Sequence, residues 1–305
     1  MSTCSLQWGI LILALLLPGA TARAQTREVF VTASFADKRD LMIEDLERQE
    51  IEILENNNPR RIEFMARDEV PTVYGILFDR SLVLDDEGGY RAGNLLPQLG
   101  AGAAKSLAYE MIDKYLGRQT IWVGSYEREL RVLLDFSNDG FSAKDAIYRL
   151  SGKGGTEDTF LYGALFASVM KMKERNEKRR VLIVFVNGID QDSAGKLKPL
   201  KNLLASSNVE VFFINFASKA GGNMAAMMSQ SSIRELAQMT SGEAFLASDY
   251  REHQDDMTRR ILNILRAYYT FGFQSDSPSD KPGRLVIRCS RPGAKVKSRQ
   301  TVPIL

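Results

Sequence analysis

The chain has 305 residues, a formal net charge of +2 and a hydrophobic fraction of 44%. That length suits one good-sized domain with a smaller module and a real apolar core, and the near-neutral balance gives no electrostatic pointer to nucleic acid. Cysteine and histidine usage excludes more, because there are two cysteines and one histidine.

The first segment, "WGILILALLLPGA" followed by "TARAQT", reads as a secretory signal peptide over residues 1–24. The apolar run is too short to span a membrane comfortably. Ala22 and Ala24 form an A-x-A cleavage pattern, so the cut is expected after Ala24. Cys4 leaves with that segment and Cys289 is then the one mature cysteine. This excludes an intrachain disulfide and a cysteine-histidine zinc site. Any histidine-based nucleophilic mechanism must use His253, which sits in "DYREHQDDMTRRIL", the solvated opening of an amphipathic helix.

Residues 25–70 read as an N-terminal β segment. "REVFVTAS", "QEIEILENN" and "RRIEFMAR" are short strands, and Ile51, Ile53, Ile62 and Phe64 alternate with charged residues. "ENNNPRR" is a turn that makes the last two strands a hairpin, and "DLMIEDLE" before them is a turn or short helix.

From residue 71 to 250 strands and helices alternate. Apolar runs at 72–79, 120–126, 130–136, 180–187 and 209–216 read as buried strands, with helical segments at 95–116, 143–150, 161–178, 196–207 and 232–242 between them. Leu99, Ala103, Leu107, Met111 and Tyr115 form one apolar stripe, and Gly242 is the expected C-terminal stop of its helix. The pattern predicts an α/β, doubly wound, mainly parallel sheet. Residues 251–305 then give a helix to about 267 and a return of β grammar in "AYYTFGFQ", "GRLVIRCS" and "KVKSRQTV". Lone hairpins are marginal in water, so the N- and C-terminal β segments are expected to pack together as one small β module.

Several motifs fall away on inspection. "LGAGAAKSLA" has Leu99 and Ala104 where a phosphate-binding loop needs glycine. "GKGGTEDT" is no dinucleotide fingerprint, no G-x-S-x-G elbow exists, and "MAAMM" (224–228) reads as helix packing. What remains is a set of polar strand ends. "VYGILFDRSLVLDD" delivers Asp79 and Ser81, "RVLIVFVNGID" ends in Asn187 and Asp190, and "GGTEDTFLYGAL" places Thr156 and Thr159 before a helix. In open parallel sheets, ligands bind beyond the carboxyl ends of the strands.

These three segments, in this order and spacing, resemble a von Willebrand factor type A domain over roughly residues 71–250, and the flanking β segments are similar to those of a bacterial secreted subgroup of A-domain-related proteins. The resemblance implies a Rossmann-like fold that binds protein partners through the loops at the carboxyl edge of its sheet. It also implies a metal-ion-dependent adhesion site, D-x-S-x-S plus a threonine and an aspartate from two further loops. Carried over residue by residue, that site is Asp79, Ser81, Thr159 and Asn187, with Thr156 and Asp190 as alternatives for the last two positions. Val83 stands where the second serine belongs, and Asn187 where the aspartate does. A hard cation such as Mg²⁺ needs near-octahedral oxygen ligands, so a degenerate set predicts no resident cofactor. The expectation is a secreted or periplasmic, non-enzymatic module binding an extracytoplasmic protein, with no nucleic acid and no membrane span after signal cleavage. A Mg²⁺-dependent adhesion module is the alternative, and a hydrolase is the remote one.

Overall fold

A strand that is apolar at every position has to be covered on both faces, and three stretches of this chain are buried throughout: Thr72–Asp79, Arg179–Val186 and Val209–Asn215. The computed structural model describes residues 26–67, 70–82, 101–150, 160–187, 195–216, 224–250, 254–278 and 280–304. In chain order the elements are β1 (Arg27–Ala36), β2 (Ile51–Glu55), β3 (Asn58–Arg60), β4 (Phe64–Arg67), β5 (Thr72–Asp79), α1 (Ala101–Lys114), β6 (Thr120–Tyr126), β7 (Leu130–Ser137), α2 (Gly140–Tyr148) and α3 (Leu161–Met172). They continue with β8 (Arg179–Val186), α4 (Leu197–Ser206), β9 (Val209–Asn215), α5 (Met224–Met239), β10 (Ala244–Leu246), α6 (Gln254–Ala267), β11 (Tyr269–Ser275), β12 (Leu285–Cys289) and β13 (Lys295–Ser298).

The central sheet has the order β10-β9-β8-β5-β6-β7, parallel except for β7, which runs antiparallel to β6. This is the predicted doubly wound α/β sheet. One apolar cluster fills the face covered by α1, α2 and α6, and a second fills the face covered by α3, α4 and α5. Strand order reverses on either side of β5, so the carboxyl ends of β5 and β8 flank the topological switch point.

The two β segments do come together. β1 pairs with β11 and β13, β11 pairs with β4, and β12 pairs with β2, so each of the two smaller sheets draws strands from both ends of the chain. Between them lies a third apolar cluster built around Val29, Val31, Phe35, Ile53, Phe271 and Ile287. Arg299 fastens this module to the central sheet. It is buried, and it donates to the carbonyls of Leu204 (2.9 Å), Ala205 (3.0 Å) and Thr301 (2.8 Å). The first two are orphan carbonyls at the end of α4, where a cation also meets the negative end of the helix dipole.

The structure corrects several local expectations. The hairpin partner of β2 is the short β3, closed by Asn56 and Asn57 at φ of 50° and 67°, while "RRIEFMAR" leaves that sheet and pairs as β4 with β11. A two-residue turn with both φ values positive matches the strand twist, and asparagine tolerates it. "DLMIEDLE" contains no helix; one 3₁₀ turn follows it at Arg48–Glu50. The helix expected over 161–178 stops at Met172, and the carbonyl of Arg175 beyond it accepts from Arg180 Nε at 2.9 Å. α2 begins three residues earlier than predicted, because Asp139 caps it by accepting from the backbone of Phe141 (3.0 Å) and Ser142 (3.1 Å). α5 also starts earlier, at Met224, and β10 is an additional strand. β7 is an edge strand with Val132 and Leu133 exposed, rather than a buried one.

Gly242 does not supply the left-handed residue after α5. Ser241 does, at φ 71°, and holds that conformation with its hydroxyl donating to the Thr32 carbonyl at 3.2 Å. Gly242 is required for a different reason: a Cβ there falls 1.9 Å from the carbonyl oxygen of Val211 in β9. Gly242→Ala is therefore expected to lower unfolding free energy by about 3 kcal/mol, the upper range for forced overpacking against backbone. Gly163→Ala in α3, where a Cβ meets nothing closer than Lys196 Nζ at 3.6 Å, should instead raise it by about 0.5–1 kcal/mol through helix propensity. Denaturant melts of the two variants check both signs.

Candidate functional site

The wholly buried β5 ends on a carboxylate. Asp79 has no exposed surface, and the chain turns over it at once through the single tight turn Arg80–Leu82, whose last residue inserts into the core. The turn is held by Asp79 itself: Oδ1 accepts from the Ser81 backbone N–H (2.9 Å) and from the Ser81 hydroxyl (2.7 Å). This is the local side-chain-to-backbone bonding that makes aspartate a turn former. The other carboxylate oxygen reaches the neighbouring strands. Tyr126, level with Asp79 in the β5–β6 register, donates its hydroxyl to Oδ2 at 3.1 Å. Asn187, the first residue past β8, donates its backbone N–H to Oδ2 at 3.4 Å and its Nδ2 to Ser81 Oγ at 3.4 Å.

Asp79, Ser81 and Asn187 are thus brought together. Thr156, Thr159, Asp190 and Val83 lie outside the described residues, as do His253 and most of the loops 80–94, 151–160, 188–195 and 217–231. The described residue of the second loop is Phe160, whose backbone N–H donates to the Glu127 carbonyl at 2.8 Å. Glu127 in turn pairs with Arg80 at 2.8 Å, both side chains being largely buried. The approach to α3 is therefore tied to the ends of both β5 and β6.

Three contributors escaped the sequence reading. Tyr126 is one, and its signal was a hydroxyl-bearing aromatic at the carboxyl end of a strand that had to lie beside β5. The Arg80–Glu127 pair is another, formed by residues immediately past two adjacent strand ends. The third is an aromatic floor: Phe78 and Phe185 stack at 4.5 Å with 7° between their planes, and Phe216, just past β9, continues the row 6.4 Å from Phe185. These rings support the strand ends from below and exclude water from that side.

Burial dominates the electrostatics. It pushes the Asp79 carboxyl above its ordinary value, against the hydrogen bonds from Ser81, Asn187 and Tyr126 that favour the ionised form. The described residues do not fit a hard divalent cation. They supply one carboxylate, each of whose oxygens already accepts two hydrogen bonds. Ser81 Oγ donates to that carboxylate and accepts from an amide N–H. No group of three or more His, Cys, Asp or Glu side chains among the described residues is arranged to hold a metal. One acceptor remains open: Asn187 Oδ1 is buried and has no hydrogen-bond partner among the described residues. The described grooves, of about 850 Å³ beside β12 and β13 and about 290 Å³ between β1 and the end of α3, are lined by none of the site residues.

Against this geometry the comparisons can be set. No protein-family model matches the chain and no curated protein matches it. Solved structures do. A von Willebrand factor type A protein from Catenulispora acidiphila superposes with a TM-score of 0.50 at 13% identity, over 89% of this chain and 73% of that one. Proximal thread matrix protein 1 of the mussel byssus, with a zinc-occupied MIDAS motif, gives a TM-score of 0.52 at 12% identity, over 70% of this chain and 50% of its own. The chain has the von Willebrand factor type A fold. Within this fold the sheet order places Asp79 at the switch point, and β7 is the antiparallel strand at the end of the sheet.

The raised Asp79 carboxyl makes a stability prediction. Between its ordinary and its raised value the folded state binds the extra proton, so this group's contribution falls as pH rises through that window and is a penalty at neutral pH. Asp79→Asn keeps an acceptor for Ser81 and removes the buried charge. It should melt higher than wild type at pH 7, with the difference closing as pH falls toward 4. A lower Tm for the variant at pH 7 would show that the four hydrogen bonds outweigh burial.

Proposed function

We propose that the chain is an extracytoplasmic, non-enzymatic protein-binding module that engages its partner through the loops at the carboxyl edge of the A-domain sheet and works without a divalent cation. The observation that carries this reading is the closed network of Asp79, Ser81, Tyr126 and Asn187. It spends the lone pairs that a metal would need on fixing the geometry of three strand ends. A rigid base of this kind is what loops need in order to present a reproducible surface. The loop sequences "DDEGGYR", "GKGGTED" and "IDQDSAGK" are polar and glycine-rich, as exposed recognition loops are. Export is supported by the signal-like residues 1–24, and no helix among the described residues is long and apolar enough to cross a membrane. A non-enzymatic role is supported by the same commitment: the Asp79 carboxylate is bonded to its neighbours rather than presented to a nucleophile in a cleft.

The zinc-occupied MIDAS motif reported for the byssus protein and the open Asn187 Oδ1 together define the competing reading, cation-dependent adhesion. The two are separated by thermal melts, since a cation that binds only the folded state must raise Tm. Wild type should melt identically in millimolar Mg²⁺, Mn²⁺ or EDTA. Asn187→Asp, which adds a second carboxylate beside Asp79 and Ser81, should melt lower in EDTA and recover with Mg²⁺. A clear Mg²⁺ shift in wild type decides for the adhesion reading. A photo-crosslinking residue at Asp190 should trap a discrete protein in the native envelope, and one at Leu41, on the exposed surface of the β module, should not. Adducts from neither position, or equally from both, would overturn the loop-edge assignment.

A further inference from the structure

Soluble surfaces scatter their large apolar side chains, so clustering is informative. Six of the seven exposed large hydrophobic side chains among the described residues lie on β7 and on the two helices that flank it: Val132, Leu133, Phe141, Tyr148, Phe166 and Met170. Val132 and Leu133 are on the edge strand itself. Phe141 and Tyr148 are seven residues apart on α2, each 75% exposed, on the side away from its buried residues Ala143, Ala146 and Ile147. Phe166 and Met170 are four apart on α3, likewise away from that helix's buried Leu165, Val169 and Met172. Lys171 of α3 reaches Asp135 of β7 at 3.0 Å and lies 5.0 Å from the centre of the Phe136 ring, so that side of α3 packs beside the strand, while Phe166 and Met170 lie roughly 100–140° round the helix from it, toward solvent. The result is an apolar rim formed by β7 and α2 at a sheet edge that has no further strand among the described residues.

The strand at its centre has a charge pattern that reads the same when reversed with signs exchanged. In "LRVLLDF" (130–136), Arg131 and Asp135 stand two residues either side of Leu133. We propose that this rim is a homodimer interface, with two copies meeting antiparallel across a two-fold axis at Leu133. That axis sets Arg131 against Asp135 of the second copy twice, Val132 against Leu134, Leu130 against Phe136, and Leu133 against itself. Moving the axis to Val132 brings Glu129 against Asp135, a like-charge pair, and moving it to Leu134 leaves Arg131 facing Ser137. Opposite charges directly across an antiparallel contact stabilise it, and like charges oppose it, so the pattern selects one register.

β7 is irregular against β6, with register shifts between Ile121 and Gly124 that leave extra residues on the β7 side. The pairing across the axis is therefore expected to be short, centred on Leu133, with the Arg131–Asp135 pairs setting its register. Bulges are one device that keeps an edge strand from open-ended pairing. An isologous two-fold contact is another, because each copy uses its patch once and the assembly closes. In the central sheet β7 is the strand beside β6, so a dimer of this kind carries two Asp79 edges, one per copy.

Sedimentation of the full mature chain over a range of concentrations tests this. Wild type should show a monomer–dimer equilibrium. Leu133→Lys, which sets two ammonium groups against each other on the axis, should be monomeric, as should Arg131→Glu and Asp135→Lys taken singly. Mixing the last two should restore a dimer, now a heterodimer. In it the glutamate introduced into one copy faces the lysine introduced into the other, and the native Asp135 of the first copy faces the native Arg131 of the second. Melting curves confirm that each variant is folded. Should Asp135→Lys be unstable through loss of its contact with Lys171, the Leu133 and Arg131 variants still decide. A wild type that stays monomeric at high micromolar concentration, a dimer that survives both Leu133→Lys and Arg131→Glu, or folded charge variants that remain monomeric on mixing would each overturn the proposal.

Discussion

The parallel pairing of β5 with both β6 and β8 is the constraint on which the rest of the structure hangs. A strand buried on two faces and hydrogen-bonded on two edges has no freedom to shift its register, because a one-residue slip would exchange every side chain between the two apolar clusters. Fixing β5 therefore fixes where its last residue falls. Asp79 lands level with Tyr126 on one side and within reach of Asn187 on the other, and the three strand ends are stitched by one carboxylate. The position of the site follows from packing within the sheet some distance below it.

The β module stands on the same logic, with charge in place of apolar packing at the joints. Arg179, at the start of β8, pairs with Glu210 of β9 at 2.9 Å and 3.0 Å and donates to the Leu265 carbonyl at the end of α6 (2.8 Å). The Tyr268 ring lies 5.1 Å from its guanidinium, and the Tyr268 hydroxyl donates to the carbonyl of Ser241. One buried cation thus joins two strands of the central sheet to the point where the chain leaves α6 for β11. Arg299 does the equivalent at the end of α4. Burial lowers its pKa to about 10, which still leaves it charged at neutral pH. Breaking either contact would strand a buried charge, a far larger penalty than losing a surface pair. The module is in this sense continuous with the A-domain.

Much of this was legible in the sequence because continuity of apolar residues reports burial directly. The runs ending at Asp79 and Asn187 could only be inner strands, and their polar last residues had to sit at the ligand edge. What the sequence concealed was adjacency. "LRVLLDF" is as apolar as its neighbours, yet among the described residues β7 has a strand partner on one edge only, and nothing local distinguishes an outer strand from an inner one. "RRIEFMAR" carries the right alternation for a hairpin with β2, but the three residues between β3 and β4 let it cross to the other sheet. Gly242 shows the same gap at the scale of an atom. Its position after a helix suggested a backbone conformation, while its actual requirement is the approach of β9, a strand that precedes that helix in the chain. Tyr126 was missed for this reason as well, since its hydroxyl matters only because β6 lies beside β5.

The switch point and the β7 edge differ in how far their side chains are committed. At the switch point both oxygens of Asp79, the Ser81 hydroxyl and the Tyr126 hydroxyl are committed to their neighbours, which suits a scaffold that must not move when something binds above it. Around β7 the opposite holds: apolar side chains are left uncommitted on two helices and the strand between them. Commitment lowers the number of states an edge can adopt, and so lowers the ordering free energy that binding must overcome. A surface left apolar gains when a second surface removes it from water. On the function and the dimer proposed above, a fold built this way separates two tasks in space: the loops recognise from a fixed platform and the β7 edge brings two platforms together, so that a weak contact made by one set of loops is strengthened when two act at once.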